Sequence, residues 1–313
     1  MFPLSKGQKM RALAVEEALQ RTRALLGAVM TTLLLLATPA LAVIIDSGDG
    51  SGNTTPPIDD PGFNNIGVKS GLSVVYLRNG WVLTANHVGE GNVTLNGTVH
   101  TAVTGSGVQI SNGDGSFADL LVFAITPIPA LPDIEIRANT SLPSGEVVMI
   151  GNGRSRGAAS DSDDPGMWEQ PGPTTPVDGW YWTNPSIIRW GTNEVTDYWT
   201  FSATGTESFY TIFDEVGPNH TTHECQVANG DSGGALFAKD GGNWELAGTI
   251  WALAGFAGQV SNTSAMQGNA SLVADLSFYR DEINAITVPE PGVMLQLSFG
   301  AVVLGLLNRR RMP

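Results

Sequence analysis

The chain has 313 residues, of which 42% are hydrophobic and 15% charged, and its formal net charge is −14. A chain of this length buries one large core or two modest ones, and this composition excludes a chain that charge keeps disordered. The acidic excess argues against a nucleic-acid partner, and 38 Gly with 18 Pro argue against a helical bundle.

The first 42 residues have the order of a secretory signal peptide. Basic residues precede the apolar run Leu25 to Ala37, and the small-residue sequence Ala40-Leu41-Ala42 follows it. The alternative is a membrane anchor, but a spanning helix needs about 20 apolar residues. We therefore expect cleavage after Ala42, followed by a flexible lead-in over residues 43–66, which are rich in Gly, Asp, Pro and Thr.

From residue 67 the sequence predicts short strands joined by turns. Asn79-Gly80 separates two runs of β-branched and aromatic residues, which indicates a hairpin of Leu72 to Leu77 with Trp81 to Ala85. A long surface insertion is predicted for Ser155 to Gly179. No helix interrupts the strands, so the pattern favours an antiparallel all-β barrel or sandwich. The further predicted strands are Leu120 to Ile125, Val147 to Ile150, Trp199 to Ser202, Phe209 to Phe213, Ala235 to Phe237 and Glu245 to Ile250.

A serine flanked by glycines, in Gly230-Asp231-Ser232-Gly233-Gly234, is the sharpest chemical signal. The pattern Gly-x-Ser-x-Gly also fits the nucleophile elbow of α/β-hydrolases, in which the catalytic His follows the Ser. All four histidines of this chain precede Ser232, so that interpretation fails. A His, Asp, Ser order remains: His87 follows a predicted strand, and Asp119 opens another. Together these residues predict nucleophilic catalysis.

Other polar residues fit ordinary structural roles better. Asp114 lies between two glycines, as a turn aspartate does, so Asp119 is the better candidate for the acid. His220, His223 and Cys225 could bind zinc, but their turn-like setting and the single cysteine favour a loop beside the substrate pocket. We expect neither a metal nor a cofactor.

In these motifs the chain resembles the trypsin-like serine proteases, which have the chymotrypsin fold. Their His follows Thr-Ala-Ala, here Thr84-Ala85-Asn86; their Asp opens a short hydrophobic strand; and their Ser lies in Gly-Asp-Ser-Gly-Gly. The resemblance covers about residues 67–286. It implies an all-β fold of two antiparallel β-barrels with a C-terminal helix, in a domain over residues 67–287, with the triad in the cleft between the barrels.

The resemblance also implies a role for each triad residue. Ser232 is the expected nucleophile, His87 the general base, and Asp119 the residue that orients the imidazole. The backbone N–H groups of Gly230 and Ser232 are expected to form the oxyanion hole.

The substrate pocket departs from the family pattern. Its base is expected at Gln226, where trypsins have a carboxylate, and its wall at Ile250, Trp251 and Ala252. A Gln cannot neutralise a buried Lys or Arg, so trypsin-like specificity is not expected, although Glu224 lies nearby.

Asp231 occupies the position that, in activated members of the family, accepts a salt bridge from a new α-amino group. Cleavage after Ala42 would give that amino group to Val43. The alternative partner is an internal cation, such as Arg78 or Arg137.

The end of the chain combines a packed helix with a tail. Leu276, Tyr279, Ile283 and Ile286 recur at helical spacing, which predicts an amphipathic helix over Asp275 to Ile286. Residues 288–313 contain Val-Pro-Glu-Pro, an apolar run and three arginines, an order that resembles the PEP-CTERM sorting signal of Gram-negative bacteria. The resemblance implies export and processing by an exosortase; the alternative is a plain membrane anchor.

The sequence therefore predicts a secreted or cell-surface serine endopeptidase that acts on polypeptides and meets the membrane only through its terminal segments. An inactive protease-fold binding module of an extracellular matrix and an esterase with the same triad are the alternatives.

Overall fold

The structure is a computed structural model that describes residues 43–160, 179–184, 187–200, 204–255, 259 and 264–288. The expected signal peptide, most of the insertion after Ser155 and nearly all of the expected sorting signal lie outside these residues. Within them, no helix is long and apolar enough to cross a membrane.

Short strands dominate the described part of the chain. In chain order they are β1 (Ile44–Ile45), β2 (Ile66–Lys69), β3 (Leu72–Arg78), β4 (Trp81–Thr84), β5 (Val93–Leu95), β6 (Thr98–Ala102), β7 (Val108–Ser111), β8 (Phe117–Thr126), β9 (Glu146–Gly151), β10 (Ser155–Ser160), β11 (Gly179–Thr183), β12 (Arg189–Thr200), β13 (Glu207–Ile212), β14 (Cys225–Gln226), β15 (Ala235–Asp240), β16 (Asn243–Ala254), β17 (Ser264–Met266) and β18 (Ala270–Asp275). One α-helix, α1 (Leu276–Thr287), follows them, and short 3-10 turns occupy Phe63–Asn65 and Asn86–Val88.

The first barrel is formed by β2 to β8. Strands β4, β3, β2, β5, β6 and β8 pair in that order, and the pairing of β4 with β8 closes the ring, while β7 lies on β8. The strand β8 is buried on both sides, since its alternate residues belong to different clusters. Leu121 and Phe123 pack with other residues of this barrel, whereas Leu120 and Val122 pack in a cluster that reaches the second barrel and α1.

The second barrel is closed by six strands in the order β12, β13, β18, β16, β15 and β9. All these pairings are antiparallel. The predicted fold class is therefore confirmed: two antiparallel β-barrels with a C-terminal helix.

Most predicted strands lie inside observed ones, and the predicted turn at Asn79-Gly80 has positive φ at both residues, 53° and 84°. The hydrophobic pattern of the sequence did not predict most of β12, because its residues Thr192, Asn193 and Glu194 are polar. Each of these three residues nevertheless pairs with a residue of β9. Barrel closure buries Asn193, which periodicity alone assigns to a loop.

The segment expected to be a flexible lead-in begins with a buried strand. Val43, Ile44 and Ile45 are at most 1% exposed, and β1 pairs with β14. The Arg156 guanidinium donates hydrogen bonds to the carbonyls of Ile45 and Asp46. Burial of three consecutive β-branched apolar side chains removes their surface from water and stabilises the folded state. This end of the segment therefore belongs to the core.

Helix α1 joins the two barrels. Its N-cap is Asp275, whose carboxylate accepts a hydrogen bond from the N–H of Ser277 (2.9 Å). Tyr279 donates its hydroxyl to Oδ1 of Asn112 in the first barrel and accepts the N–H of Glu207 in the second, both at 2.8 Å.

Candidate active site

His87 and Asp119 are in direct contact. The 3-10 turn after β4 carries His87, and β8, which pairs with β4, carries Asp119. The ring Nδ1 of His87 lies 2.7 Å from Oδ2 of Asp119, and the backbone N–H of His87 donates to Oδ1 at 2.9 Å. Both carboxylate oxygens of Asp119 are therefore used by His87.

This contact sets the tautomer of the imidazole. A carboxylate has no proton to donate, so Nδ1 carries the ring proton and Nε2 of the neutral ring is the acceptor. The side chain of Asp119 is 11% exposed, whereas that of His87 is 32% exposed. The orienting carboxylate is thus sheltered, while the imidazole reaches the surface where a substrate could lie.

The loop of Ser232 belongs to the second barrel but is clamped to the first. Ser73, in β3, donates its N–H to the carbonyl of Ser232 (3.0 Å) and its hydroxyl to the carbonyl of Gly230 (2.9 Å). A side chain at Gly233 would overlap the carbonyl of Ser73 and the hydroxyl of Thr84. Because Thr84 ends the strand that leads to His87, these contacts bring the serine loop to the histidine.

Ser232 itself is half-buried, and its hydroxyl makes no hydrogen bond to any residue that the structure describes. The structure therefore brings His87 and Asp119 into contact and places Ser232 on the neighbouring loop, without a bond from its Oγ to Nε2. Catalytic hydrogen bonds are often longer in a free enzyme and tighten with substrate.

Two amides of the serine loop are free to bind an anion. Within the described ranges, neither the N–H of Gly230 nor that of Ser232 has a hydrogen-bond partner. The intervening N–H of Asp231 donates to the carbonyl of Ala228, and those of Gly233 and Gly234 donate to Ile250 and Asp231. The two amides predicted to form the oxyanion hole are thus unpaired, whereas those of Asp231, Gly233 and Gly234 are used.

Asp231 is fully buried. Its carboxylate accepts the N–H of Gly153 and that of Ala228, both at 2.8 Å. Burial raises its pKa well above the ordinary value, against the opposing effects of the Ala228 hydrogen bond and of the Arg189 charge. No cation of the described residues lies within salt-bridge distance of this carboxylate.

The internal cations named from the sequence are not partners of Asp231. Arg78 pairs with Glu135, and Arg137 donates to the carbonyls of Asn139 and Ser141. Neither of these alternative partners therefore contacts Asp231, because each guanidinium is bound elsewhere. Arg189, in β12, is the cation whose charge reaches Asp231.

The register of β1 leads Val43 towards Asp231. Ile44 pairs with Gln226 in the antiparallel ladder, and Val43 packs in one cluster with Val227. The next residue, Ala228, gives its N–H to Asp231. The backbone nitrogen of Val43 is thus directed to the end of the strand pair at which the buried carboxylate lies.

The four predicted pocket residues surround β18. Ile250 and Ala252 pair with it, with a register break at Trp251 between them. Gln226 is 1% exposed; its amide donates to the carbonyl of Ala270 (3.1 Å) and accepts the hydroxyl of Ser271 (3.2 Å). Two cavities of the described surface, of about 200 and 400 Å³, are lined by other residues.

Glu224 does not face this pocket. It is 0% exposed, and its carboxylate accepts hydrogen bonds from Asn193, from the N–H of Asp214, and from the N–H and hydroxyl of Thr221. Burial raises its pKa to about 7. A carboxylate held by four donors and surrounded by protein is not available to a substrate cation.

Sequence reasoning missed the residues that clamp the serine loop. Thr84 stands in the motif before His87, but nothing there indicated that its hydroxyl donates to the carbonyl of Ser73 (2.8 Å). The hydroxyl of Ser73 also accepts the N–H of Asn152 (2.8 Å). Ser73 lies in an ordinary strand pattern, so no local signal could have found it.

Comparison with known protein families gives no match, and no curated protein matches the chain. Among solved structures, a mutant of human heparin binding protein (CAP37) is similar, with a TM-score of 0.46 and 13% identity over 77% of this chain and 98% of that one. The assignment of the fold to this chain rests on its own strand pairing.

Proposed function

We propose that this protein is a serine endopeptidase that hydrolyses peptide bonds through an acyl-enzyme. The observation that carries the proposal is the 2.7 Å contact of His87 Nδ1 with Asp119 Oδ2. With Nδ1 bound to Asp119, Nε2 is the ring nitrogen that remains available as a base. The free amides of Gly230 and Ser232 supply the second element that acyl transfer requires.

The steps follow from these positions. The Oγ of Ser232 attacks the scissile carbonyl while Nε2 of His87 takes its proton, and Asp119 stabilises the imidazolium that forms. The carbonyl oxygen gains negative charge and is bound by the N–H groups of Gly230 and Ser232. His87 then gives the proton to the leaving amine, and a water molecule, activated by the same imidazole, hydrolyses the ester on Ser232.

A cationic partner for Asp231 completes the site in this proposal. Its buried carboxylate has two backbone donors and no cation in contact among the described residues, so ionisation is costly. An α-amino group on Val43, released by cleavage after Ala42, would reach this place along β1 and favour the ionised form. Asp231 would then hold the loop of Gly230 and Ser232 in one conformation.

The proposed location is the secreted fraction or cell surface of a Gram-negative bacterium. The order of charges, apolar residues and small residues at the start, and the PEP-CTERM-like order at the end, support export machinery and an exosortase as partners.

One observation favours an inactive binding module instead, since the hydroxyl of Ser232 has no hydrogen bond to His87. The test is hydrolysis of a peptide library by the purified protein, with Ser232→Ala as the blank. We expect His87→Ala to lose about as much activity as Ser232→Ala and as the double variant, because residues of one unit lose activity non-additively. Additive losses, or no hydrolysis by the wild type, would contradict the proposal.

A further inference from the structure

The backbone of Asp119 is bound by the opposite barrel. Its N–H donates a hydrogen bond to Oγ1 of Thr206 at 3.0 Å. Thr206 directly precedes β13 of the second barrel and is 0% exposed. Asp119 and His87 lie on the first barrel, so this bond ties their carboxylate–imidazole pair to the barrel that carries Ser232.

The N–H of Asp119 needs a side-chain partner because the strand ladder is broken there. Strands β7 and β8 pair at Gln109 with Leu121 and next at Ser111 with Phe117. Over this step β8 advances by more residues than β7, so the backbone between Phe117 and Leu121 lacks regular partners. Side chains replace them: Gln109 donates to the carbonyl of Ala118 (2.9 Å), and Thr206 accepts from Asp119.

Thr206 is itself fixed by buried hydrogen bonds. Its hydroxyl lies 2.8 Å from that of Thr204, and since it accepts from Asp119 its own proton is free for that oxygen. Its carbonyl accepts the hydroxyl of Ser208 (3.1 Å), which accepts the indole N–H of Trp251 (3.1 Å). Thr206 therefore connects Asp119, bound at its hydroxyl, with Ser208 and Trp251 of the predicted pocket wall, bound through its carbonyl.

We propose that Thr206 is a positioning residue of the triad, whose hydroxyl sets the place of Asp119 and thereby the orientation of His87 towards Ser232. This inference rests on the proposed function. The residue acts through Asp119 and touches no reacting atom. Its bond joins the two barrels at the acid, as the contacts of Ser73 join them at the nucleophile.

Thr206→Val tests the inference, because valine keeps the shape of threonine and removes the acceptor. We expect kcat to fall about 10- to 100-fold with KM changed less than about twofold, as for a misplacement of about 1 Å. Thr206→Ser keeps the hydroxyl and should restore kcat to within about threefold. The matched control is Thr211→Val, since Thr211 lies buried in β13, which Thr206 directly precedes, and among the described residues its hydroxyl donates only to the sulfur of Met149.

A second readout needs no turnover. The Nδ1 proton of His87, held by Asp119, should give a low-field proton NMR signal that is absent from His87→Ala. Thr206→Val should shift or broaden this signal, while Thr206→Ser and Thr211→Val should leave it in place. If the wild type hydrolyses nothing, the proposed function fails, and this signal still decides the role of Thr206.

An unchanged signal in Thr206→Val, together with a kcat equal to that of Thr211→Val, would overturn the inference. If Thr206→Val does not fold, Thr206→Ala and Thr211→Ala replace the pair with the same expected difference. A loss of kcat that Thr206→Ser does not restore would show that packing by the methyl group, and not the hydroxyl, is what matters.

Discussion

The hydroxyl of Ser73, in the first barrel, donates a hydrogen bond of 2.9 Å to the carbonyl of Gly230, in the serine loop of the second. The same hydroxyl accepts the N–H of Asn152 at 2.8 Å. One buried oxygen atom therefore joins β3, the hairpin partner of the strand that leads to His87, to the loop that carries Ser232.

Ser73→Ala should weaken this clamp. It leaves the carbonyl of Gly230 and the N–H of Asn152 without their partner, at a cost of about 1–3 kcal/mol in the free energy of unfolding. We expect kcat to fall about tenfold, measured on the best library peptide. Ser106→Ala removes a hydroxyl that accepts the N–H of Ala124 in the same barrel and serves as control. Equal kcat in the two variants would argue against the clamp.

Cleavage after Arg or Lys should not dominate the library profile. Both ends of the Gln226 amide are bound by β18, and Glu224 is occupied by its four donors, so a buried substrate cation would lack a countercharge. We expect small or uncharged side chains before the cleaved bond. Glu224→Gln should leave this profile unchanged. A profile led by Arg, and lost in Glu224→Gln, would show that Glu224 reaches the substrate.

Stability should decline as the pH rises through neutrality because of Glu224. Its folded pKa of about 7 lies above the ordinary 4.5, so its contribution is full below pH 4.5 and is lost as the pH rises through about 7. This loss amounts to roughly 3 kcal/mol. Denaturant unfolding at pH 4.5 and 8.5 measures it, and Glu224→Gln, which does not titrate, should show a smaller decline by about that amount. Equal declines would rule out Glu224 as the cause.

An α-amino group paired with Asp231 predicts an alkaline loss of activity. Its folded pKa would be raised above about 7.7–8.0, so its stabilisation is full below that range and is lost as the pH rises through the folded value. One extra residue before Val43 should remove most activity at neutral pH together with this alkaline limb, because the strand that starts there is fully buried. Unchanged activity of the extended protein would indicate that the charge of Arg189 is enough to stabilise Asp231 without an α-amino group. An arginine does not titrate in this pH range.

The sequence predicts the fold class and the triad because both depend on local patterns. Runs such as Leu120 to Ile125 indicate strands, and the order of His87, Asp119 and Ser232 excludes the α/β-hydrolases.

The contacts between the barrels were not predictable in this way. Ser73 and Thr206 act on residues 157 and 87 positions away, and a lone buried hydroxyl leaves no periodicity. The influence of the Arg189 charge on Asp231 was missed for the same reason, since the two residues are 42 positions apart and come near each other only through the fold.

The central claim is that Ser232 is an activated nucleophile, and labelling with a fluorophosphonate probe tests it most directly. A protein that begins at Val43 and ends at Val288 is treated with the probe. The modified peptide is then identified by mass spectrometry. We predict one label per chain, on Ser232, lost in both Ser232→Ala and His87→Ala. No label on the wild type, or a label that persists in Ser232→Ala, would contradict the account and favour an inactive binding module with a protease fold.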